Sequence, residues 1–146
     1  MVSRLLYEKH IYNAVDDRLH DVWYAHNFLS DIEAGRVLVF GVFKKVDGCF
    51  CGCAVGEISG TDFIAHALYK RKVDVTKAAL LVEDEIRKYS IGSGIEIKTI
   101  IGNIPEYNRA ALRMSKQAGY TDSGEIFGTH MKNGKSINCR CMRKEI

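Results

Sequence analysis

The sequence contains very little proline and no long apolar run. Pro105 is the single proline among 146 residues. No stretch approaches the roughly 18 consecutive apolar residues that a membrane-spanning helix needs. The first ten residues, MVSRLLYEKH, lack the hydrophobic region of a signal peptide. We therefore expect a cytoplasmic protein with no membrane partner.

An excess of charge is also lacking. The chain has 21 Lys and Arg against 18 Asp and Glu, a net charge of +3 and a sequence pI near 8.6. Domains that bind nucleic acid are usually more basic, with their cations on one face, so we expect no nucleic-acid partner. A mild positive charge is compatible with a small anionic ligand. The length and the hydrophobic fraction of 47% predict one globular domain over residues 1–146.

The five cysteines do not form a metal-binding pattern. They occupy alternate positions in two groups, Cys49, Cys51 and Cys53, then Cys139 and Cys141. Neither group has CxxC or Cys/His zinc spacing, and we expect no metal. An odd number without an export signal argues against a disulfide framework. On strands, this spacing places each group on one face of a sheet and favours core packing, with a metal or redox role as the alternative.

The hydrophobic periodicity predicts eleven elements in the order β-α-α-β-β-β-α-β-α-β-β. A strand–helix–strand crossover predicts one parallel pair, and the short turns predict antiparallel pairs elsewhere. The fold class is therefore α+β, with a mixed, mostly antiparallel sheet. The predicted strands cover 2–7, 36–43, 49–58, 62–69, 95–102, 121–131 and 136–143; the predicted helices cover 16–27, 28–34 and 75–90, with a last helix that begins at Pro105 and ends at Gly119.

Three consecutive cations separate the strand 62–69 from the long helix 75–90. They are Lys70, Arg71 and Lys72. The N-terminus of a helix offers free backbone N–H groups and the positive end of the helix dipole, so this junction is suited to an anion. The pattern predicts a site for a phosphate-bearing cofactor. The alternative is a strand–helix connection whose cations are simply solvated.

The order of elements is similar to the fold of the GNAT N-acetyltransferase superfamily, which has helices on both faces of its sheet. The closest local match is the segment NRAALRMSKQAGY. It resembles the late segment of that family in an Asn that opens a helix, an Ala three residues later and a Gly-aromatic pair, here Asn108, Ala111, Gly119 and Tyr120. In size and pattern, the sequence also looks like GNAT-like proteins encoded by bacteriophages.

This resemblance implies acetyl-CoA as the cofactor, held by the strand before the long helix and by the following loop. The family's loop pattern is Arg or Gln, two residues, Gly, one residue, then Gly or Ala. Arg71 matches the first position, but Asp74 and Thr76 replace the small residues, and an aspartate adds a charge that repels phosphate. Alternatively, the Asp74 side chain caps the helix and accepts from the amide of Thr76 or Lys77. The cofactor-binding residues implied by the resemblance are Ala67, Leu68, Tyr69, Arg71, Lys72, Asp74, Val75, Thr76 and Asn108.

The family's reaction is attack of an amine on a thioester, which needs a base and a proton source for the thiolate. His66 and Glu57 are the candidate bases, and a structural role is the alternative for His66. The family places a Tyr acid seven residues after the helix-opening Asn, where this chain has Ser115, a much poorer acid. Tyr120 and Tyr107 are substitutes, although Tyr120 is also suited to the core.

The resemblance places the acceptor against the two early helices and the last hairpin. The candidate lining residues are Tyr24, His26, Asn27 and His130, and the position of Trp23 on an apolar stripe favours the core. The leading hypothesis is an N-acetyltransferase that uses acetyl-CoA to modify an amine of a small molecule or protein. The alternative is a catalytically inactive GNAT-fold protein that serves as a phage assembly or protein-binding module. A nucleotide-binding regulatory domain is a third option, and a homodimer or an assembly partner is left open.

Overall fold

The computed structural model describes residues 22–146. The predicted strand 2–7 and the first part of the predicted helix 16–27 lie outside these residues. The described part contains three helices and six strands. They are α1 (Val22–Glu33), β1 (Leu38–Phe43), β2 (Phe50–Ser59), β3 (Asp62–Tyr69), α2 (Val75–Ser93), β4 (Thr99–Pro105), α3 (Arg109–Gln117), β5 (Thr121–Lys132) and β6 (Lys135–Glu145).

The six strands form one sheet in the order β1-β2-β3-β4-β6-β5. Short turns connect β1 to β2, β2 to β3 and β5 to β6, and each of these pairs is antiparallel. The long helix α2 connects β3 to β4, which makes that pair parallel. The predicted α+β class with a mixed, mostly antiparallel sheet is confirmed.

One face of the sheet, which we call the α1 face, packs against α1. Its buried cluster consists of Cys53, Val55 and Leu68, and Phe28 and Ile32 of α1 pack against it. The two α1 residues are four positions apart and therefore lie on one side of the helix.

The opposite face, which we call the α2 face, packs against α2. Phe63 and Ile100, which pair across β3 and β4, are buried there with Val82 and Ile86 of the helix. Together the two clusters place helices on both sides of the sheet, as the resemblance implies.

A buried ion pair connects α2 to the last strand. Glu83 is 4% exposed, and its carboxylate contacts Lys144 of β6 and, at 2.6 Å, Arg87. The Lys144 ammonium also donates to the carbonyl oxygen of Ala118, just beyond α3, at 2.9 Å. This network ties α2, β6 and the end of α3 together.

Most element boundaries differ by a few residues from the sequence predictions, and three of the differences have a clear physical reason. A single helix, α1, crosses the predicted break between residues 27 and 28, because neither glycine nor proline interrupts it there. The strand β4 begins at Thr99 rather than at residue 95, because Ser90 bonds the backbone of the preceding segment. Pro105 ends β4 instead of opening α3; a strand end tolerates its missing N–H.

None of the five cysteines is in a disulfide, and four of the five are buried. Cys139 and Cys141 both lie in the regular strand β6. The other group does not form one continuous face. Cys49 is exposed ahead of β2, and the β1–β2 register shifts between the partners Gly52 and Phe50, so that Cys51 is bulged. Among residues 22–146, no helix is both long and apolar enough to cross a membrane.

Candidate cofactor and acceptor site

A gap opens between β3 and β4 in the middle of the sheet. The two strands pair from Asp62 with Thr99 to Ala65 with Gly102 and then separate. Beyond this point β3 continues to pair with β2 as far as Tyr69, and β4 continues to pair with β6 as far as Pro105. Since each strand follows its outer neighbour, backbone groups along the inner edges face the gap instead of each other. Such edges can take a ligand with amide groups as an additional partner.

The basic junction lies at the end of β3, beside this gap. Lys70 is anchored, because its backbone N–H donates to the carbonyl oxygen of Cys51 at 2.8 Å. The side chains of Lys70, Arg71 and Lys72 are all exposed, and no ion pair with another described residue holds them. Lys72 has a φ of 66°, a left-handed conformation that is uncommon for a residue other than glycine. The loop therefore turns sharply and presents three exposed positive charges.

Asp74 caps the N-terminus of α2. Its Oδ1 accepts from the backbone N–H of Lys77 at 3.0 Å, and its carbonyl oxygen accepts from Ala78 at 2.9 Å. This confirms the alternative that the sequence left open for Asp74, with Lys77 as the donor. One of the amides that a phosphate could use is thus occupied by a carboxylate of the chain itself.

The beginning of α3, which follows the end of β4, also borders the gap. The side chain of Asn108 accepts from the backbone N–H of Ala111 at 3.1 Å and is the N-cap of this helix. Ser115 is half-buried, and its hydroxyl donates to the carbonyl oxygen of Leu112 at 2.8 Å. Ser115 must release this bond before it can protonate a leaving group.

The candidate bases lie on the α1 face. Leu68 is in the α1-face cluster, so His66, two residues earlier in the strand, lies on the same face. His66 is exposed and is the first β3 residue beyond the last pair with β4. Glu57 is also exposed and pairs with Ile64, which places it diagonally from His66 at roughly 7–8 Å between Cα atoms. His66 is the base closer to the gap.

The two tyrosines near the cofactor loop are held as neutral phenols. Burial raises the pKa of Tyr69 to about 12, with a smaller contribution from Cys53. Burial also raises the pKa of Tyr120, and the negative charge of Glu83 adds to this shift. Tyr120 packs against the α2-face cluster, in line with the core role that the sequence also suggested. A raised pKa makes a phenol a weaker proton donor to a thiolate.

The acceptor candidates lie on α1 and on the last hairpin. His26 and Asn27 are exposed in α1, and His130 is half-buried in β5. Trp23 and Tyr24 also belong to α1, but their side chains are outside the described part. The helix α1 packs on the face that carries His66, so His26, Asn27 and His66 border the same side of the sheet.

One site residue is missing from the sequence predictions. Asn103 lies in β4 at the first position beyond the last pair with β3, opposite His66 across the gap. Ile100 is on the α2 face, so Asn103, three residues later, is on the α1 face. The available signal was an asparagine inside the apolar strand TIIGNIP, where asparagine is disfavoured. No cluster of three or more His, Cys, Asp or Glu side chains suited to a metal ion occurs among residues 22–146.

No protein-family model and no curated protein sequence matches this chain. Several solved structures do match this chain in fold. Spermidine N-acetyltransferase from Vibrio cholerae, in complex with CoA and spermine, aligns with a TM-score of 0.61 at 14% identity, over 83% of this chain and 72% of that one. A dodecameric structure of the Vibrio enzyme gives a TM-score of 0.60 at 13% identity, over 84% and 74%. A structure from Acinetobacter baylyi, assigned as an acetyltransferase, gives 0.57 at 16% identity, over 85% and 70%.

These neighbours are GNAT acetyltransferases, and the described part of the chain has the GNAT fold. The fold that the sequence resemblance implies is thereby confirmed.

Proposed function

We propose that the protein is an acetyl-CoA-dependent N-acetyltransferase that acts on an amine. The observation that carries this proposal is the gap between β3 and β4, flanked by an exposed basic loop and by the beginnings of two helices. A structural neighbour with the same fold was crystallised with CoA and spermine, which supports a thioester donor and an amine acceptor.

The residues around the gap fit CoA, although the fit is poorer at the phosphates. The inner edges of the strands, at Ala67 and Leu68, suit an amide-containing arm, and Arg71 and Lys72 supply charge for the pyrophosphate. The Thr76 hydroxyl is a further donor. Asp74 opposes binding, because it uses the amide of Lys77 and adds a negative charge. We therefore propose weak CoA binding.

Within this proposal, the thioester supplies an activated acyl group: the new C–N bond forms as the C–S bond breaks, and the electron pair leaves with the sulfur. His66 takes the proton from the attacking amine, since it is exposed beside the gap on the α1 face. The amine enters on that face, between α1 and the β5–β6 hairpin, where His26, Asn27 and His130 lie. Ser115 and Tyr120 remain the proposed proton sources for the thiolate.

The test is a calorimetric titration with CoA and acetyl-CoA, followed by assay of thiol release with a panel of amines that includes spermidine. We expect a dissociation constant tighter than about 1 mM and a raised melting temperature at saturating ligand. Arg71→Ala should weaken binding. Arg36→Ala should not, because Arg36 lies in a different loop, between α1 and β1, where it is paired with Asp31 of α1. His66→Ala should lower turnover by about 10²–10⁴-fold without changing CoA affinity.

The second candidate is a GNAT-fold protein without catalysis that binds or assembles with another protein. The capped amide at Lys77 is the observation that favours it. In that case, neither CoA nor acetyl-CoA at millimolar concentration should change the melting temperature, and that result would refute the enzyme.

A further inference from the structure

The outer face of α3 is an open, cationic surface. It lines a groove of about 560 Å³ with the side chains of Arg109, Leu112, Arg113, Lys116 and Gln117. The three cations are exposed and follow one another at intervals of four and three residues, so they lie on one side of the helix. No acidic residue accompanies them in α3. The groove therefore combines three positive charges with one half-buried apolar side chain, Leu112.

These three cations have no ion pair within residues 22–146. Ion pairs are common elsewhere in the described part of the chain. Six cations near α2 and in the sheet region each contact a carboxylate: Arg87, Lys88, Lys98, Arg140, Arg143 and Lys144. The charge on the outer face of α3 is thus not used by the part of the fold that the structure describes.

The arrangement is unfavourable for the helix itself. Like charges three or four residues apart destabilise a helix. Arg109 is also the first residue of α3, where the positive end of the helix dipole disfavours a cation, and the first turn contains no acid that offsets it. Local choices that oppose stability are expected where a protein binds a partner.

The outer face is turned away from the gap between β3 and β4. On the inward side of α3, Ala111 and Ser115 are half-buried and Ala118 is buried. Each residue of an α-helix turns by about 100°, which places Arg113 roughly 160° around the helix from Ser115. A ligand held in the gap therefore leaves the groove uncovered.

The lining residues define the chemistry of the partner. A guanidinium group pairs best with a carboxylate, and Leu112 gains from contact with an apolar side chain. None of the lining side chains is aromatic, so the groove offers no surface on which a nucleic-acid base stacks, and the net charge of the chain is only +3. These properties favour an acidic protein segment.

The spacing of the cations suits a helical segment. Along the axis of α3, Arg113 lies about 6 Å and Lys116 about 10 Å from Arg109. A second helix that lies beside α3 has the same rise per residue. It can present carboxylates and an apolar side chain at matching intervals along one face.

We propose that the outer face of α3 docks an acidic helical segment of another protein. The carboxylates of that segment pair with Arg109, Arg113 and Lys116, and one of its apolar side chains covers Leu112. The inference is independent of the proposed function, because this docking needs neither CoA nor an amine.

The probe is a fluorescein-labelled peptide with two EAALEAAE repeats, in which the carboxylates and the leucine repeat the spacing of the groove. The full chain is titrated against it by fluorescence anisotropy. We expect a dissociation constant below about 1 mM that rises with salt. Arg113→Glu should weaken binding by at least about tenfold. The matched control is Lys45→Glu, the same change of charge in the exposed turn between β1 and β2, and it should alter binding by less than about twofold.

A second variant, Arg109→Glu, separates binding from folding. It should weaken peptide binding as Arg113→Glu does and raise the melting temperature of the free protein by about 1–4 °C. The rise is expected because the change removes a like-charge repulsion and places an acid in the first turn of α3. A lower melting temperature would show that Arg109 serves the fold and would overturn the inference.

The apolar contact is tested in the peptide. Replacing its leucines by serine should weaken binding by at least about threefold, because the groove then loses the apolar partner of Leu112. Equal binding of the serine peptide would contradict the contact and overturn the inference.

Other results also decide the matter. Absence of peptide binding, or an equal loss in Lys45→Glu, would overturn the inference. Tighter binding of labelled oligothymidylate of the same length would assign the face to nucleic acid, and a wild-type dimer that Arg113→Glu dissociates would assign it to a second copy of the chain; either result overturns it. Displacement of the peptide by CoA would place the peptide at the cofactor site, with the same consequence. Failure of CoA to bind refutes the proposed function and leaves this inference standing.

Discussion

Replacing Asp74 by asparagine should strengthen the binding of CoA. The Asp74 carboxylate caps α2 at the amide of Lys77, beside the place proposed for the pyrophosphate. A phosphate held by the first turn lies roughly one helical pitch, about 5.4 Å, from the cap. Two unit charges at that distance repel by about 0.8 kcal/mol in bulk water and by about 3 kcal/mol at an effective permittivity of 20. Asp74 is exposed, so the lower figure is the better guide.

A gain of about 1 kcal/mol corresponds to roughly fivefold tighter binding. Asparagine is as good an N-cap as aspartate, so the helix keeps its cap. The lost interaction of the carboxylate with the helix dipole costs about 0.3–1 kcal/mol of stability. Affinity should therefore rise while the melting temperature without ligand falls slightly. These opposite signs separate an electrostatic effect on the ligand from a general effect on the fold.

The assay is calorimetric titration of wild type and Asp74→Asn with CoA and with pantetheine, which lacks the nucleotide phosphates. The gain should appear for CoA alone and shrink as salt shortens the Debye length. Asp84→Asn is the matched control. It lies ten residues along the same helix, about 15 Å away and beyond the Debye length of about 8 Å. Equal gains with both ligands, or no gain with CoA, would refute the placement of the phosphates at α2.

Three further predictions concern stability. Lys144→Met should destabilise the fold by about 3 kcal/mol in urea, because it removes a cation from the buried carboxylate of Glu83; adding Glu83→Leu should restore most of the loss. Gly52→Ala should destabilise by about 3 kcal/mol or more, since a Cβ there would overlap the backbone oxygen of Leu68 in β3. Gly92→Ala, in open space in α2, should stabilise by about 0.5–1 kcal/mol. The effects of the two glycine substitutions are measured as changes in melting temperature. Burial raises the pKa of Tyr69 from 10.0 to about 12, so the stability that this phenol contributes is complete below pH 10 and is lost as pH rises to 12. Urea denaturation should show that Tyr69→Phe reduces this loss by an amount on the order of 2 kcal/mol.

The fold could be predicted from the sequence wherever one local signal determined an element. The turn at Gly134 defined the last hairpin, and the long amphipathic pattern defined α2. One boundary failed where a hydrogen bond from a side chain to the backbone was decisive. Ser90 holds the segment before β4 through bonds to Ile95 and Ile97, and no local pattern reveals such contacts. The break predicted within α1 failed because an apolar residue after an amphipathic stretch also fits one continuous helix.

The candidate site was predicted in part, for a related reason. The basic loop and the cap at Asp74 are local in sequence, and both appear in the structure. The gap is not local, because it depends on β3 and β4 parting after Ala65 and Gly102, and sequence spacing does not say where two paired strands separate. Asn103 could be identified as a site residue only from the structure, which places its buried side-chain oxygen beside that gap.

The gap and the phosphate site depend on different interactions, so one can persist without the other. The gap exists because β2 holds the second half of β3 and β6 holds the second half of β4. None of these pairings involves residues 71–77. An aspartate can therefore replace a glycine in the loop with little effect on the sheet, and the fold alone does not distinguish an enzyme from an inherited scaffold. Ligand affinity does, because the binding of CoA phosphates needs the loop at residues 70–77, whereas the strand pairings that form the gap do not.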